Sequence, residues 1–308
     1  MSIFSICPDR LRPRDDARLP RRLRSETVSA LMAVLALGLV PPGIGGQQPK
    51  RTPDVQFVPT PFDVVGAMLS VARVTKNDRL FDLGSGDGRI VIAAAKRFGT
   101  RGVGIDIDPQ RIIESRKNAD TAGVTQLVEF RNADLFETDL RGATVVTLYL
   151  LPALNVKLRP KLFAELRPGS RVVSHAFDMG DWAADTVLEV GGRVVFYWVM
   201  PSKVEGMWTL SVPAGGNANA YELRLSQSYQ RLAGTATTGG RSLSVDSARV
   251  VGDSVVFTLA DTTAGAPAGG QQRMRFAGRL SGGTMTGSMT GGGAGASGQW
   301  RATRRPGQ

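Results

Sequence analysis

Carboxylates and glycines alternate along Asp82-Leu83-Gly84-Ser85-Gly86-Asp87-Gly88-Arg89. An apolar stretch precedes this run and an alanine-rich one follows. It therefore reads as the end of a strand, a tight turn and the start of a helix. Glycine serves where a backbone must bend sharply or lie against a ligand with no Cβ in the way. A dinucleotide fingerprint would place its third glycine where Arg89 stands, but here it comes one residue early, at Gly88. Asp82 and Asp87 bracket the turn, and paired carboxylates repel a diphosphate. They suit a ligand with a cationic amine and ribose hydroxyls.

A second apolar run, Gly102-Val103-Gly104-Ile105-Asp106, ends in another carboxylate 22 residues after Gly84. That is close to the roughly 20 expected for an acid gripping a ribose diol. The cofactor with this chemistry is S-adenosylmethionine. Asp82 and the turn (Gly84, Ser85, Gly86, Asp87, Gly88) would hold its amino-acid end. Asp106 and Ile107 would meet the ribose, and Asn132-Ala133-Asp134-Leu135 the adenine, with Asp134 taking its amino group.

The elements that must position these residues alternate along the chain. Thr60 and Pro61 predict a helix start, with Thr60 as its cap and apolar residues at 64, 65, 68, 69 and 72 on one face. Helices are expected at 88–98, 109–122 and 152–166, and strands near 79–83, 101–106, 128–132, 145–149 and 171–175. Apolar runs at 187–190 and 194–199 complete a seven-stranded, mostly parallel, doubly wound sheet. Such sheets bind ligands at the carboxyl ends of their strands, so Asp82, Asp106, Asp134 and Tyr149 should share one rim. Tyr149 can line a channel for an acceptor as well as the cofactor site. His175 could relay a proton, or be structural. Asp178 and Asp181 could attract a cationic acceptor or start a helix.

Composition changes at Gly206. Residues 206–308 hold 20 of the 37 glycines, ten arginines, no lysine and four acids. Short alternating runs such as Tyr221–Leu225, Val255–Leu259 and Arg273–Ala277 predict a small antiparallel β-barrel, with Trp208 and Trp300 as core staples. Upstream, residues 1–24 carry seven arginines and three aspartates, and 28–40 are apolar throughout. This run is too short to span a bilayer, which takes about 20 residues, and its basic flank matches a signal peptide or a membrane anchor. The expected organisation is a leader over 1–50, a catalytic domain over 56–203 and the barrel over 206–308. The net charge of +11 lies mostly outside the middle unit, so solvated arginines are favoured over a nucleic-acid surface. A single cysteine, Cys7, and a single histidine, His175, exclude a cysteine or multi-histidine metal site, and no metal is expected.

Residues 56–183 resemble the class I methyltransferases, and in particular the membrane-associated protein-lysine methyltransferases of the ATP synthase c-subunit and the adenine nucleotide translocase. The resemblance rests on Val58-Pro59-Thr60-Pro61, the glycine turn, Leu148-Tyr149-Leu150-Leu151-Pro152, Asn155-Val156-Lys157-Leu158 and Ser174-His175-Ala176-Phe177-Asp178-Met179-Gly180-Asp181-Trp182. It implies methyl transfer from S-adenosylmethionine to a lysine of a protein, one held at a membrane, with Thr60 near the cofactor. Nucleic-acid amino-methyltransferases place Asn or Asp before two prolines at the fourth strand. That polar residue is missing here, so nucleic acid is disfavoured as acceptor. The rival readings are transfer to a small molecule or RNA, and an exported barrel that binds a ligand beside a vestigial cofactor site. The leader suggests a cell-envelope location, membrane-associated or exported, in conflict with a cofactor made in the cytoplasm.

Overall fold

A computed structural model describes residues 56–214, 217–261, 273–292 and 297–305. The basic leader and the apolar run 28–40 lie outside the described residues. Among the described residues, no helix is long and apolar enough to cross a membrane.

The first half alternates helix and strand up to its third strand, which the fourth follows directly, and three strands end the sheet. Helix α1 (Phe62–Val71) leads into β1 (Arg79–Leu83), α2 (Arg89–Phe98) and β2 (Arg101–Asp106). Then come α3 (Pro109–Thr121), β3 (Val128–Asn132), β4 (Val145–Leu148) and α4 (Pro152–Glu165). Strands β5 (Arg171–His175), β6 (Thr186–Val190) and β7 (Arg193–Val199) finish the sheet. Their order is β3-β2-β1-β4-β5-β7-β6. All neighbours are parallel except β7, which runs antiparallel to β5 and β6. The chain winds outward from β1 in both directions, so β1 and β4 flank the switch point where such a sheet opens a crevice.

The inner strands β1, β4 and β5 are buried on both faces because both are covered, whereas the edge strands β3 and β6 are partly exposed. Val64, Val65, Met68 and Leu69 of α1, with Ile90 and Val91 of α2, bury one face. Leu158 and Leu162 of α4, Trp182 and Trp198 bury the other. The Trp198 indole N–H donates to the Trp182 carbonyl (2.9 Å), so a large ring is buried without an orphaned donor.

Thr60 does not cap α1. Pro61 occupies the cap position and makes no side-chain cap bond, while the Val64 N–H in the first turn donates to Asp63 Oδ1 (2.9 Å). Thr60 is buried, and its hydroxyl pairs instead with His175 Nδ1 at 3.2 Å, a partner 115 residues away. Asp178 and Asp181 likewise start no helix. Asp178 Oδ1 accepts from the Gly180 N–H (3.0 Å), and Asp181 pairs with Arg159.

The second half is a closed antiparallel barrel. It comprises β8 (Gly206–Ala214), β9 (Asn217–Ser228), β10 (Arg231–Thr238), β11 (Arg241–Val251), β12 (Ser254–Asp261), β13 (Arg273–Ser281), β14 (Thr284–Gly291) and β15 (Ser297–Arg304). Each pairs with its sequence neighbour, and β15 pairs with β8 to close the ring. Closure leaves no unpaired edge. The interior is filled: Phe257 and Phe276 stack at 4.7 Å and 6°, and Trp300 meets both edge-on at 5.6 Å. A Cβ on Gly278 would come within 2.6 Å of the Trp300 ring, so glycine there makes room for the indole. Trp208 is fully buried, with its N–H bonded to the Val204 carbonyl (2.9 Å). Trp208→Ala is expected to cost about 3–5 kcal/mol, through lost burial and the cavity left behind. Thermal unfolding of the full chain, followed by near-ultraviolet dichroism, checks this.

Candidate active site

The turn from β1 to α2 is built by backbone geometry that glycine permits. Gly84, Gly86 and Gly88 have φ of 82°, 52° and 81°. The Gly84 and Ser85 N–H groups both donate to the Ile105 carbonyl (2.8 and 2.9 Å), which ties the turn to the end of β2. The Gly86 N–H donates to Asp106 Oδ2 (2.8 Å), and the Asp108 N–H to Asp106 Oδ1 (2.9 Å). Asp106 is thus aimed by two backbone donors. A carboxylate oxygen carries two lone pairs, so each keeps one for a ligand hydroxyl.

These elements enclose a cavity of about 450 Å³ at the carboxyl ends of the strands. Asp82, Asp106, Asp134 and Tyr149 all line it, as do Thr60, Gly84, Ser85, Asp87, Ile107, Ala133 and Leu135. Gly86, Gly88, Asn132 and His175 are not among the lining residues. Gly86 and Gly88 shape the turn. Asn132 donates from Nδ2 to the carbonyls of Asp106 (3.0 Å) and Ile107 (2.8 Å), bracing the tip of β2 from behind.

Sequence reasoning placed Thr60 near the cofactor but missed the side chains that close this side of the cavity. Residues 56–60 run along it, and Phe57 is wedged over Gly86, where an added Cβ would sit 2.1 Å from its ring. The Arg111 guanidinium lies 5.0 Å over that ring, a cation–π contact. Arg89 donates to the Thr60 carbonyl (2.9 Å) and also holds Asp87 through Nε and Nη2 (2.9 and 2.6 Å). The Asp87 carboxylate is therefore matched by an arginine fork and is not a free negative charge beside the turn. The one available signal was an arginine in the first turn of α2, where a helix macrodipole disfavours cations unless a partner is near. Gly86→Ala, which meets both the positive φ and the Phe57 ring, should weaken cofactor binding roughly tenfold in calorimetric titration.

Asp82 is 2% exposed and accepts from the Thr147 hydroxyl (2.7 Å). Burial pushes its carboxyl up to about 7 against the Thr147 bond, and Asp106 and Asp87 push the same way. Asp106 is also raised, chiefly by burial. Neither forms an ion pair among the described residues. Beside them the Ser85 hydroxyl is buried without a partner. A buried acid with no cation, a second acid with spare acceptor positions and an unmet hydroxyl all fit a ligand that is cationic and rich in hydroxyls. A nucleoside sulfonium meets each demand.

On the far side of the crevice Tyr149 packs against His175 (4.0 Å, tilted at 38°) and stacks with Phe177 (6.2 Å, 20°). His175 is 2% exposed and sits behind Tyr149. Burial, then the charge of Arg193, lowers its pKa, so the ring is neutral near pH 7. Asn155, also buried, donates to the carbonyls of Phe177 (3.2 Å) and Asp178 (3.1 Å).

This sheet order, with a glycine turn at the switch point and carboxylates at the tips of β1 and β2, defines a class I methyltransferase that uses S-adenosylmethionine. Residues 82–186 match the model of the ANTKMT methyltransferase domain. The chain is 46% identical to a protein-lysine N-methyltransferase of Saccharolobus islandicus, over 45% of this chain and 86% of that one. It is 32% identical to the mouse (Mus musculus) lysine N-methyltransferase of the ATP synthase c-subunit, over 57% and 76% respectively. A crystal structure of an RNA methyltransferase from Salinibacter ruber, in complex with S-adenosyl-L-homocysteine, is 58% identical over 48% of this chain and 96% of that one, with a TM-score of 0.47. The chain belongs to the protein-lysine N-methyltransferase family.

Proposed function

We propose that this chain methylates the ε-amine of lysine in a protein substrate held at a membrane. The observation that carries the reading is the aromatic side of the crevice. Tyr149, Phe177 and His175 pack together beside the cavity, and the tip of β4 offers no amide or acid to orient a base amine. Support for a membrane-held substrate comes from the relatives named for the ATP synthase c-subunit and the adenine nucleotide translocase, and from the apolar run 28–40. Phe57, Val58, Leu151 and Val156 also expose apolar surface.

Bound in the cavity, S-adenosylmethionine supplies an electrophilic methyl group on sulfur. The chain's own part is to hold and to exclude. Asp82 would face the cationic end, Asp106 the ribose hydroxyls, and Asp134 with Ala133 and Leu135 the adenine. Tyr149 and its ring partners keep water away from the acceptor amine, which favours the neutral, nucleophilic form of lysine. Alignment and a preset polar environment then supply most of the rate. His175, neutral and tied to Thr60, adds no charge to repel the incoming amine and keeps the Tyr149 ring in place. We assign it as a positioning residue: His175→Ala should lower kcat roughly tenfold while leaving the affinity for S-adenosylhomocysteine within about twofold.

We place the protein at the cell envelope, held through residues 28–40 with its catalytic part on the cofactor's side. Incubating the full chain with labelled S-adenosylmethionine and separated membranes, soluble protein, RNA and small metabolites tests the acceptor. Label on lysine in the membrane pool is expected, and label confined to RNA or metabolites overturns the reading. Sequencing the mature amino terminus from fractionated cells tests the placement.

A further inference from the structure

We propose that Tyr229, on the barrel, is a positioning residue for the acceptor side of the methyltransferase site, acting through Asp181 and Trp182 on the segment that follows His175. That segment leaves the sheet abruptly. Ala176 has φ of 67°, and the Phe177 N–H donates back to the His175 carbonyl (2.9 Å), a strained three-residue turn. Its product is the Phe177 ring stacked on Tyr149, which lines the cavity. Strain of this kind persists only where the surroundings over-determine it.

From the inside, Asn155 holds the segment through the Phe177 and Asp178 carbonyls, and Arg159 donates to the Met179 carbonyl (2.6 Å). From the outside, among the described residues, it is held by one barrel hairpin. Tyr229, between β9 and β10, is itself left-handed (φ 55°). In that conformation its ring stacks on Trp182 (6.2 Å, 28°) and meets Phe163 at 5.5 Å. Arg159 lies 5.2 Å over the same ring, and the Tyr229 hydroxyl donates to Asp181 Oδ2 (3.0 Å). Arg159 and Asp181 are also an ion pair. One barrel side chain thus closes a set that includes both ends of the Met179–Trp182 bridge.

The simpler alternative is that Tyr229 only glues two domains together. Other contacts do that without touching residues 176–182: Arg249 pairs with Asp185 (2.6 Å), and the Ser202 N–H donates to the Gly252 carbonyl (2.7 Å). Glue alone would make their loss equivalent to the loss of Tyr229.

The test compares full-length wild type with Tyr229→Ala, Tyr229→Phe and Arg249→Ala. Tyr229→Ala should lower kcat/KM for poly-L-lysine roughly tenfold, with the dissociation constant of S-adenosylhomocysteine within about twofold. Amides of 176–182 should exchange roughly tenfold faster, with those of β1 and β2 unchanged. Tyr229→Phe keeps the stacking and loses only the Asp181 bond, so roughly threefold effects in the same direction are expected. It also serves if the alanine variant fails to fold. Arg249→Ala should resemble wild type in both measurements. Unchanged exchange at 176–182 in both Tyr229 variants overturns the proposal, as does an Arg249→Ala profile equal to that of Tyr229→Ala. The kinetic arm rests on the lysine reading and the exchange arm does not. A wild type inert toward poly-L-lysine would count against that reading, with exchange still deciding this one.

Discussion

Asp82→Asn is expected to stabilise the ligand-free protein above pH 7 while removing most of its hold on S-adenosylmethionine. The folded protein keeps this carboxyl protonated up to about 7, against 3.8 for an unperturbed aspartate. A folded pKa above the unfolded one contributes stability that is full below pH 4 and is lost as pH rises through 7. At pH 8 the ligand-free protein therefore carries a buried carboxylate at a cost of about 4 kcal/mol relative to the neutral side chain. Asparagine cannot ionise, yet its oxygen still accepts from Thr147. A melting temperature higher by about 10 °C at pH 8, shrinking toward zero near pH 4, is expected in thermal scans. The same titration governs binding. A cationic ligand needs the ionised acid, so wild-type affinity should rise roughly tenfold per pH unit up to 7 and then level off. Calorimetry in buffers of different ionisation heat should show about one proton released at pH 6. A variant no more stable at pH 8, or one that binds S-adenosylhomocysteine as wild type does, would refute this account.

Asp106→Ala should have the opposite effect on stability and the larger one on affinity. It strands the N–H groups of Gly86 and Asp108, each worth about 1–3 kcal/mol if left without a partner. It also removes the acceptor for the ribose hydroxyls. Together these predict roughly a thousandfold loss of affinity for S-adenosylhomocysteine. Asp106→Asn should rescue little, because one amide end would present N–H to a backbone N–H. Affinity within twofold of wild type in calorimetry would sink the ribose assignment.

The two aspartates were legible because their signals are local. Asp82 and Asp106 end apolar runs, and their separation is fixed by one crossover helix. The helices and strands of residues 62–199 follow the apolar periodicity to within a residue or two for the same reason. Thr60 shows where this fails. Thr-Pro is a good helix-start pattern, but the hydroxyl found a buried histidine across the fold, and a distant partner outweighed the local one. The roles of Arg89 and Arg111 went unnoticed because a single sequence does not say which carboxylate, carbonyl or ring a guanidinium reaches. Short alternating runs implied the barrel strands, whereas closure depends on the pairing of β15 with β8, which no local pattern encodes. The docking of Tyr229 on Trp182 joins two domains and left no trace in either one's periodicity.

That ring closure also sets an order of assembly. Strands β1 to β7 are all complete before β8 is made, so the cofactor-binding half can fold as the chain emerges from the ribosome. The barrel cannot close until β15, made after all its other strands, is available to pair with β8. Until then β8 shows β15's side of its backbone to solvent, an open template for a neighbouring nascent chain. A message truncated shortly before Ser297 would yield a folded methyltransferase half tethered to an unsealed, adhesive sheet. An intact β15 is therefore what separates molecules with a sealed barrel from ones bound for aggregation.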